Sequence, residues 1–568
     1  MTVDRTRAMT TAMEESLPGT LRLFDAHGNA LATEGTGLKK HGDIVLVPQP
    51  SESPNDPLHW SLSRKIWHSF LVCFVTALTA ATSNDAGAAE YNENLEIGVS
   101  YGSFNTGAGV LFAAIGYWTL LSSPLVYLYG RRILYLICML FGLIGGIWLA
   151  KTQTTGDAVF NQLFVGASES VAEATVQLSL MDLWFQHQRG SVLGVYVLAT
   201  SIGTYLGPLI ASYIADSSLD WRWIGWFGAI FSGMTFVLFL FGLEETAFRR
   251  DKFLINGGER YLIDGVNRAN SPNIDNGTQA AQREKALEQP HQTNSALPSV
   301  ELTTGAEERP KSYWERIAII TPAPNLRGTG FKQYFQRLFH TLRVFTFPAV
   351  WYSGLQWGAQ DAWLTFYLTV EEDNWYGPPW NYSDAADGNM NIPCLIGAVI
   401  GCFYGGWFSD KFVAWMAKRN GGVFEAEQRL WLLFPTACIF PVGMWLFGIG
   451  TAYGWSWPAP YVGLGFIGFG WGCAGDLSMA YLMDAYPEMV LEGMVGVATL
   501  NNSIALIFTF TASDWIDASG VRNTFIATGV LAFVFLMTTL PMIVWGKKAR
   551  RSTRGKYQRF LEIRDGFN

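Results

Sequence analysis

Apolar runs of about twenty residues, the length that crosses a bilayer core, recur along the chain at about 66–86, 105–128, 131–150, 158–182, 191–214 and 223–243. A second set follows at about 344–370, 392–410, 428–450, 459–486, 494–516 and 523–545. A long hydrophilic insert separates the two sets. The pattern predicts an all-α integral membrane protein of two pseudo-symmetric six-helix bundles. Its expected divisions are an N-terminal cytoplasmic segment (1–64), a first bundle (65–243), a linker (244–343), a second bundle (344–546) and a cytoplasmic tail (547–568).

Orientation follows from where Lys and Arg fall in the short loops. Arg131 and Arg132 follow the second span, Arg189 the fourth, Lys411, Lys418, Arg419 and Arg429 the eighth, and Lys547, Lys548, Arg550 and Arg551 the twelfth. These loops are assigned to the cytoplasm, with both termini. The opposite loops are acidic: Glu90, Glu93 and Glu96 after the first span, and Glu371, Glu372, Asp373, Asp384 and Asp387 after the seventh. The loop after the tenth span is the exception, since Glu488 and Glu492 have no basic neighbour. Asn381-Tyr382-Ser383 is a glycosylation sequon, which this topology puts outside. No secretory signal opens the chain, so the run beginning near Ile66 is expected to act as an uncleaved anchor, and the plasma membrane is the expected location.

Within the insert, residues 266–310 are rich in Asn, Gln, Ser, Thr and Pro and poor in aromatics, a composition that predicts a disordered linker. Its flanks, Tyr313-Trp314-Glu315-Arg316 and Phe331-Lys332-Gln333-Tyr334-Phe335, mix aromatic and basic residues as an interfacial helix does. Charged residues make up 15% of the chain, against about 25% in a soluble domain, too few to clothe a soluble protein this long. The formal charge of −8 would in a soluble protein argue against a nucleic-acid partner, and none is expected here, but in a polytopic protein the placement of charge matters more than its sum. All six cysteines lie in or beside apolar runs and form no CxxC pair, so they read as packing residues.

Two loops at equivalent places in the two halves carry related chemistry: Gly130-Arg131-Arg132 after the second span, and Gly406-Trp407-Phe408-Ser409-Asp410-Lys411 at the end of the eighth. In these the chain resembles the major facilitator superfamily, whose signature there is Gly-x-x-x-Asp-(Arg/Lys)-x-Gly-(Arg/Lys)-(Arg/Lys). The first half keeps only the tail, with Ser123 and Tyr127 where Gly and Asp would stand, and the second keeps the head. The resemblance implies a gating role for Arg131, Arg132, Arg189, Gly406, Asp410 and Lys411, in an asymmetric cytoplasmic lock. Gly203, Gly207 and Pro208 in the fifth span resemble the antiporter motif Gly-x-x-x-Gly-Pro of drug:proton antiporters, although Ala211-Ser212 stand where that motif often continues Gly-Gly. Asn55-Asp56-Pro57-Leu58-His59-Trp60, Asp182-Leu183-Trp184-Phe185 with His187, Trp221-Arg222-Trp223 and Glu244-Glu245-Thr246 are similar to a fungal branch of drug and polyamine or cation transporters. That branch usually has an Arg early in the fourth span. This chain has Asn161-Gln162.

Ionisable residues inside a span cost roughly 3 kcal/mol or more at its centre, so each calls for a partner or a purpose. Glu169 and Glu173 lie four apart in the fourth span, Asp361 in the seventh and Asp476 in the tenth. This set is acidic and the sequence offers it no buried Lys or Arg. Asp85, Asp182, Asp484 and Glu244 read instead as helix-end or rim charges. The seventh span adds a stripe of Trp351, Tyr352, Gln356, Trp357, Gln360 and Asp361, with aromatic faces that attract organic cations. The expected substrate and proton site is therefore Glu169, Glu173, Asp361, Gln356, Gln360, Trp357, Asp476 and Asn501. No P-loop, HExxH or Ser-His-Asp set is present, so neither an enzyme nor a metal or cofactor site is expected. The resulting expectation is a monomeric secondary transporter whose partners are a small-molecule substrate, protons and the bilayer. It would export a drug-like, secondary-metabolite or cationic compound by proton-coupled alternating access. The alternatives are a proton-coupled importer of polyamines or related cations and a non-transporting receptor on the same fold.

Overall fold

In a computed structural model of the chain, residues 17–22, 40–41, 44–46, 48, 50–51, 53–185, 188–248, 309–375 and 377–566 are described. His187 and the expected disordered segment, apart from its last two residues, lie outside them.

The first bundle comprises Leu62–Asn84, Tyr101–Leu128, Arg132–Ala150, Thr155–Leu183, Arg189–Ala215 and Arg222–Gly242, hereafter the first to sixth spans. The second comprises Pro348–Asn374, Asn391–Arg419, Ala426–Ala452, Ala459–Ala485, and the long helix Val490–Met537, which holds two spans and is broken at Gly520. Gly520 has φ 73° and ψ 154°, a conformation other residues rarely adopt, so the break falls where the chain must turn back. Eight helical stretches pass as spans on length and hydropathy alone, one of them holding the eleventh and twelfth together. The three that fall short are the fourth, seventh and tenth, the spans that carry Glu169, Glu173, Asp361 and Asp476.

Packing repeats between the bundles. The first span lies on the fifth, the second on the fourth and the third on the sixth; the seventh lies on the eleventh, the eighth on the tenth and the ninth on the twelfth. The bundles meet where the second span crosses the eleventh and the fifth crosses the eighth, again an equivalent pair. Glycines permit these approaches. A Cβ on Gly207 would lie 2.7 Å from Ala81 Cα, and one on Gly203 would sit 2.2 Å from the Ala77 carbonyl oxygen. The antiporter-like stretch is thus the seam between the fifth and first spans.

Several connecting segments carry more structure than the polarity pattern implies. The acidic stretch after the first span forms a helix, Gly87–Ile97, ended by Gly98 in the left-handed conformation. Phe331–Thr341 is a helix with Phe331, Phe335 and Phe339 exposed one turn apart and Arg337 and His340 buried behind them, the arrangement of an interfacial helix. The expected tail is a docked helix, Thr539–Gly566, held by the Thr553 and Tyr486 hydroxyls at 2.7 Å and by Phe560 stacked on His340. An N-terminal strand, Thr20–Arg22, pairs antiparallel with Val423–Glu425, and buried Arg550 binds both Thr20 Oγ1 and the Glu427 carboxylate beneath it. A second short pair joins Lys40–His41 to Ile44–Val45.

Candidate functional site

The fourth span opens with a capping box between Thr154 and Asp157 and then widens into a π-turn at Ala172–Val176. Such a turn inserts an extra residue per turn and re-aims what it carries. Here it carries Glu173, one turn beyond Glu169. Glu169 accepts a hydrogen bond from Ser83 Oγ of the first span at 2.5 Å. Asp361 of the seventh span accepts one from Trp471 Nε1 of the tenth at 3.0 Å and lies beside Asn501 of the eleventh. The three carboxyls are close enough to interact electrostatically across the junction of the bundles. Among the described residues none of the three forms an ion pair.

Aromatic rings surround Asp361. Trp357 lies 5.0 Å from Trp471, ring centre to ring centre, and Tyr205 of the fifth span meets Trp471 edge-on at 6.0 Å. A cavity of about 140 Å³ lies on the side of the acidic loops, lined from both bundles by Ser83, Asn84, Gln162, Thr365, Asp387 and Asn391 among others. Among the described residues no Lys or Arg lines it. Ser83 both lines this cavity and bonds Glu169, and the Thr365 hydroxyl bonds the Asp361 carbonyl, so the cavity ends next to the acidic group.

The stripe of the seventh span does not stay together. Gln356 is turned away from the carboxylates, donating to the Phe535 carbonyl at 2.7 Å and to Thr538 Oγ1 at 2.9 Å, so it ties the seventh span to the twelfth. Trp351 is exposed on the outer surface and Tyr352 bonds Thr539. Trp357 fills the space above Gly475, and both amide atoms of Gln360 are buried without a partner among the described residues. Asp476 lies apart from the acidic group, nearer the basic loops.

At the basic end the bundles are joined by a polar lock. Asp410 Oδ2 accepts from the backbone N–H and the hydroxyl of Ser191, at 2.8 and 2.9 Å, in the first turn of the fifth span. Its Oδ1 accepts from Arg429 at 3.1 and 3.2 Å. Arg429, 4% exposed, also pairs with Asp484 at 3.2 Å, and Arg189 donates to the Met483 carbonyl at 3.2 Å. A carboxylate at a helix N-terminus, bonded by a buried guanidinium, is a strong joint. Gly406 leaves room for Gly194, whose Cα is 3.0 Å from where a Cβ would stand.

The equivalent place in the first half has different chemistry. Tyr127 donates to Glu492 Oε1 at 3.0 Å, in the first turn of the eleventh span, and Arg337 lies over the Tyr127 ring at 4.9 Å. Neither Arg131 nor Arg132 bonds the second bundle among the described residues: Arg131 pairs with Asp182 at 2.8 Å, and Arg132 donates to the Phe239 and Leu240 carbonyls that end the sixth span and to the Ile317 carbonyl of the segment between the bundles. Lys411 stands over Trp407, outside the lock. The sequence shows no evident buried Lys or Arg beside its intramembrane acids; at this end Arg132, Arg189, Arg429 and Arg550 are buried. Arg429 was legible only as a loop cation, because nothing local to it signals the two carboxylates that enclose it. Glu492, which lacked a basic neighbour in the sequence, proves to have a phenol. Asn381 is exposed with φ 49°, on a turn at the acidic end.

The family model for the Major Facilitator Superfamily matches residues 69–510. The chain belongs to that superfamily. An uncharacterized MFS-type transporter of Schizosaccharomyces pombe is 51% identical over 564 residues, covering 97% of this chain and 95% of that protein. Protein HOL1 of Saccharomyces cerevisiae is 50% identical over 578 residues, covering 97% and 98%. Among solved structures, the proton:xylose symporter XylE aligns over 84% of this chain and 96% of its own with a TM-score of 0.54 at 13% identity, a likeness of fold. The chain is therefore a multi-pass membrane protein and a secondary transporter of the facilitator type. It is not an enzyme.

Proposed function

We propose that this facilitator carries organic cations in linkage with protons, with Glu169, Glu173 and Asp361 as the shared site. The observation that carries the reading is three carboxyls between the bundles, ringed by Trp357, Trp471 and Tyr205, with no ion pair among the described residues. Three carboxylates cannot all ionise at short range in a poorly solvated place, so protons or a cation must balance them. An ammonium group that displaces those protons makes cation and proton affinities mutually exclusive. Exchange of this kind drives cation efflux against an inward proton gradient, the direction to which the antiporter-like stretch at Gly203–Pro208 also points. The basic end is taken as cytoplasmic, in the plasma membrane, with the lock closed there and the cavity leading outside; Asn381 then offers an external glycosylation site.

A second reading, uptake of polyamines or related cations, is favoured by the cavity's Glu90, Glu93 and Asp387, carboxyls that would concentrate cations on the outer side. Purified protein in liposomes, given labelled polyamines and quaternary ammonium compounds under pH gradients of either sign, decides between them. Cation accumulation on the acidic side supports exchange; accumulation on the alkaline side supports uptake. Movement of neutral solutes only, without pH dependence, would refute both.

A further inference from the structure

We infer that Asp476 is a second proton-binding group, sealed between the bundles in the closed state and uncovered on the basic side when the lock parts. The inference rests on the proton-linked reading but concerns a different residue and a different face.

Asp476 is fully buried, and neither of its carboxyl oxygens has a hydrogen-bond partner among the described residues. Asp484, two turns further along the same helix, pairs with Arg429. The surroundings explain the difference. A Cβ on Gly405 would stand 3.0 Å from Asp476 Oδ2, one on Gly194 3.4 Å and one on Gly406 3.5 Å. Gly194 belongs to the first bundle and Gly405 and Gly406 to the second, within the π-turn Tyr404–Phe408. The carboxyl is thus pressed against three glycine backbones where the two bundles touch. The charged or titratable groups facing it are Arg429 from the start of the ninth span, Asp410 and Cys402 from the eighth and Cys473 from its own helix. None donates a hydrogen bond to it.

A bare carboxylate without a donor is untenable in such a place, whereas a carboxylic acid is neutral and far less costly. Asp476 therefore holds a proton while the bundles are closed. Opening at the basic end must draw Gly194 away from Gly406, because they lie in different bundles. The gap admits water, and the O–H bond of Asp476 can then ionise, its proton passing to water and the carboxylate electrons staying on Asp476, with Arg429 nearby to stabilise the new charge. The central carboxyls meet the cavity at the acidic end, so Asp476 supplies the basic side with its own proton exit, tied to the lock.

The test uses full-length protein in liposomes with Asp476→Asn, which imitates the protonated acid. Transport driven by a pH gradient should fall by at least about tenfold, while cation-for-cation exchange without a gradient stays within about twofold of wild type, since coupling and binding are separable. Infrared spectra of the wild type at neutral pH should show a protonated-carboxyl band that diminishes in Asp410→Asn, whose opened lock hydrates Asp476; this readout stands even if Asp476→Asn does not fold. Wild-type pH coupling in Asp476→Asn, a carboxyl band unaltered by Asp410→Asn, or coupling to sodium in place of protons would each overturn the inference. If Glu173→Gln uncouples transport while Asp476→Asn does not, this inference alone fails; if neither does, the proton-linked reading fails with it.

Discussion

Asp410→Asn isolates the lock, because it changes one charge and almost no volume. Four hydrogen bonds converge on the carboxylate, two from Ser191 and two from Arg429. An amide keeps one acceptor oxygen, which the Arg429 cation attracts, and its N–H groups then face the Ser191 donors, so the pair that crosses between the bundles is lost. Hydrogen bonds to charged groups contribute about 1.5–3 kcal/mol each, and a negative charge at a helix N-terminus about 0.3–1 kcal/mol. Arg429 keeps Asp484, and Asp410 is partly solvated, which offsets part of the loss. A net weakening of the closed state by about 2–3 kcal/mol follows, or roughly a 30- to 150-fold shift toward opening at the basic end. Spin labels at Ser312→Cys, in the segment docked on the sixth span, and at Lys418→Cys of the eighth, both exposed, report that opening by electron–electron distance once exposed Cys438 is replaced by Ser. The distance distribution should gain a longer population. An unchanged distribution in Asp410→Asn would refute the lock.

Tyr127→Phe removes the single hydroxyl bond to the Glu492 carboxylate and, since the phenol is a neutral donor, should weaken the second joint by about 1.5 kcal/mol, the low end for a bond to a charged group, giving a smaller shift in the same spin-label assay; a shift as large as that of Asp410→Asn would show that the two joints had been ranked wrongly. Gly207→Val forces a side chain into Ala81, with its Cβ 2.7 Å from the backbone, and should destabilise the protein by about 1–3 kcal/mol or more. A melting temperature equal to wild type would mean that the fifth and first spans are not so closely packed. Cysteine at Ser383, exposed at the acidic end, should react with membrane-impermeant reagents applied to intact cells; labelling only from the cytosol would invert the topology.

The spans were legible because a bilayer demands about twenty apolar residues wherever a helix crosses it, a local signal. Asp410 was legible because its signature sits in one short stretch, and Glu169, Glu173 and Asp361 because charge within a span stands out against its neighbours. What escaped depends on partners distant in sequence. Arg429 is a loop cation until Asp410 and Asp484 fold around it, and Tyr127 is a departure from the signature until Glu492 arrives. Gln356 looked like a cavity residue since periodicity cannot say whether a polar side chain faces solvent or the end of another helix. The π-turn at Ala172–Val176 leaves no trace in a hydropathy pattern. Nor does the pairing of Thr20–Arg22 with Val423–Glu425, since three-residue strands four hundred residues apart carry no local signature.

Proton displacement by substrate tests the central claim most directly. Purified protein in weak buffer with a pH-sensitive dye should release protons on addition of a polyamine or quaternary ammonium compound. Glu169→Gln and Glu173→Gln, which imitate protonated acids, should each reduce that release, and the double substitution should abolish it together with high-affinity cation binding. Binding of the cation with no proton release in the wild type, or undiminished release from the double variant, would contradict a shared site at these carboxyls.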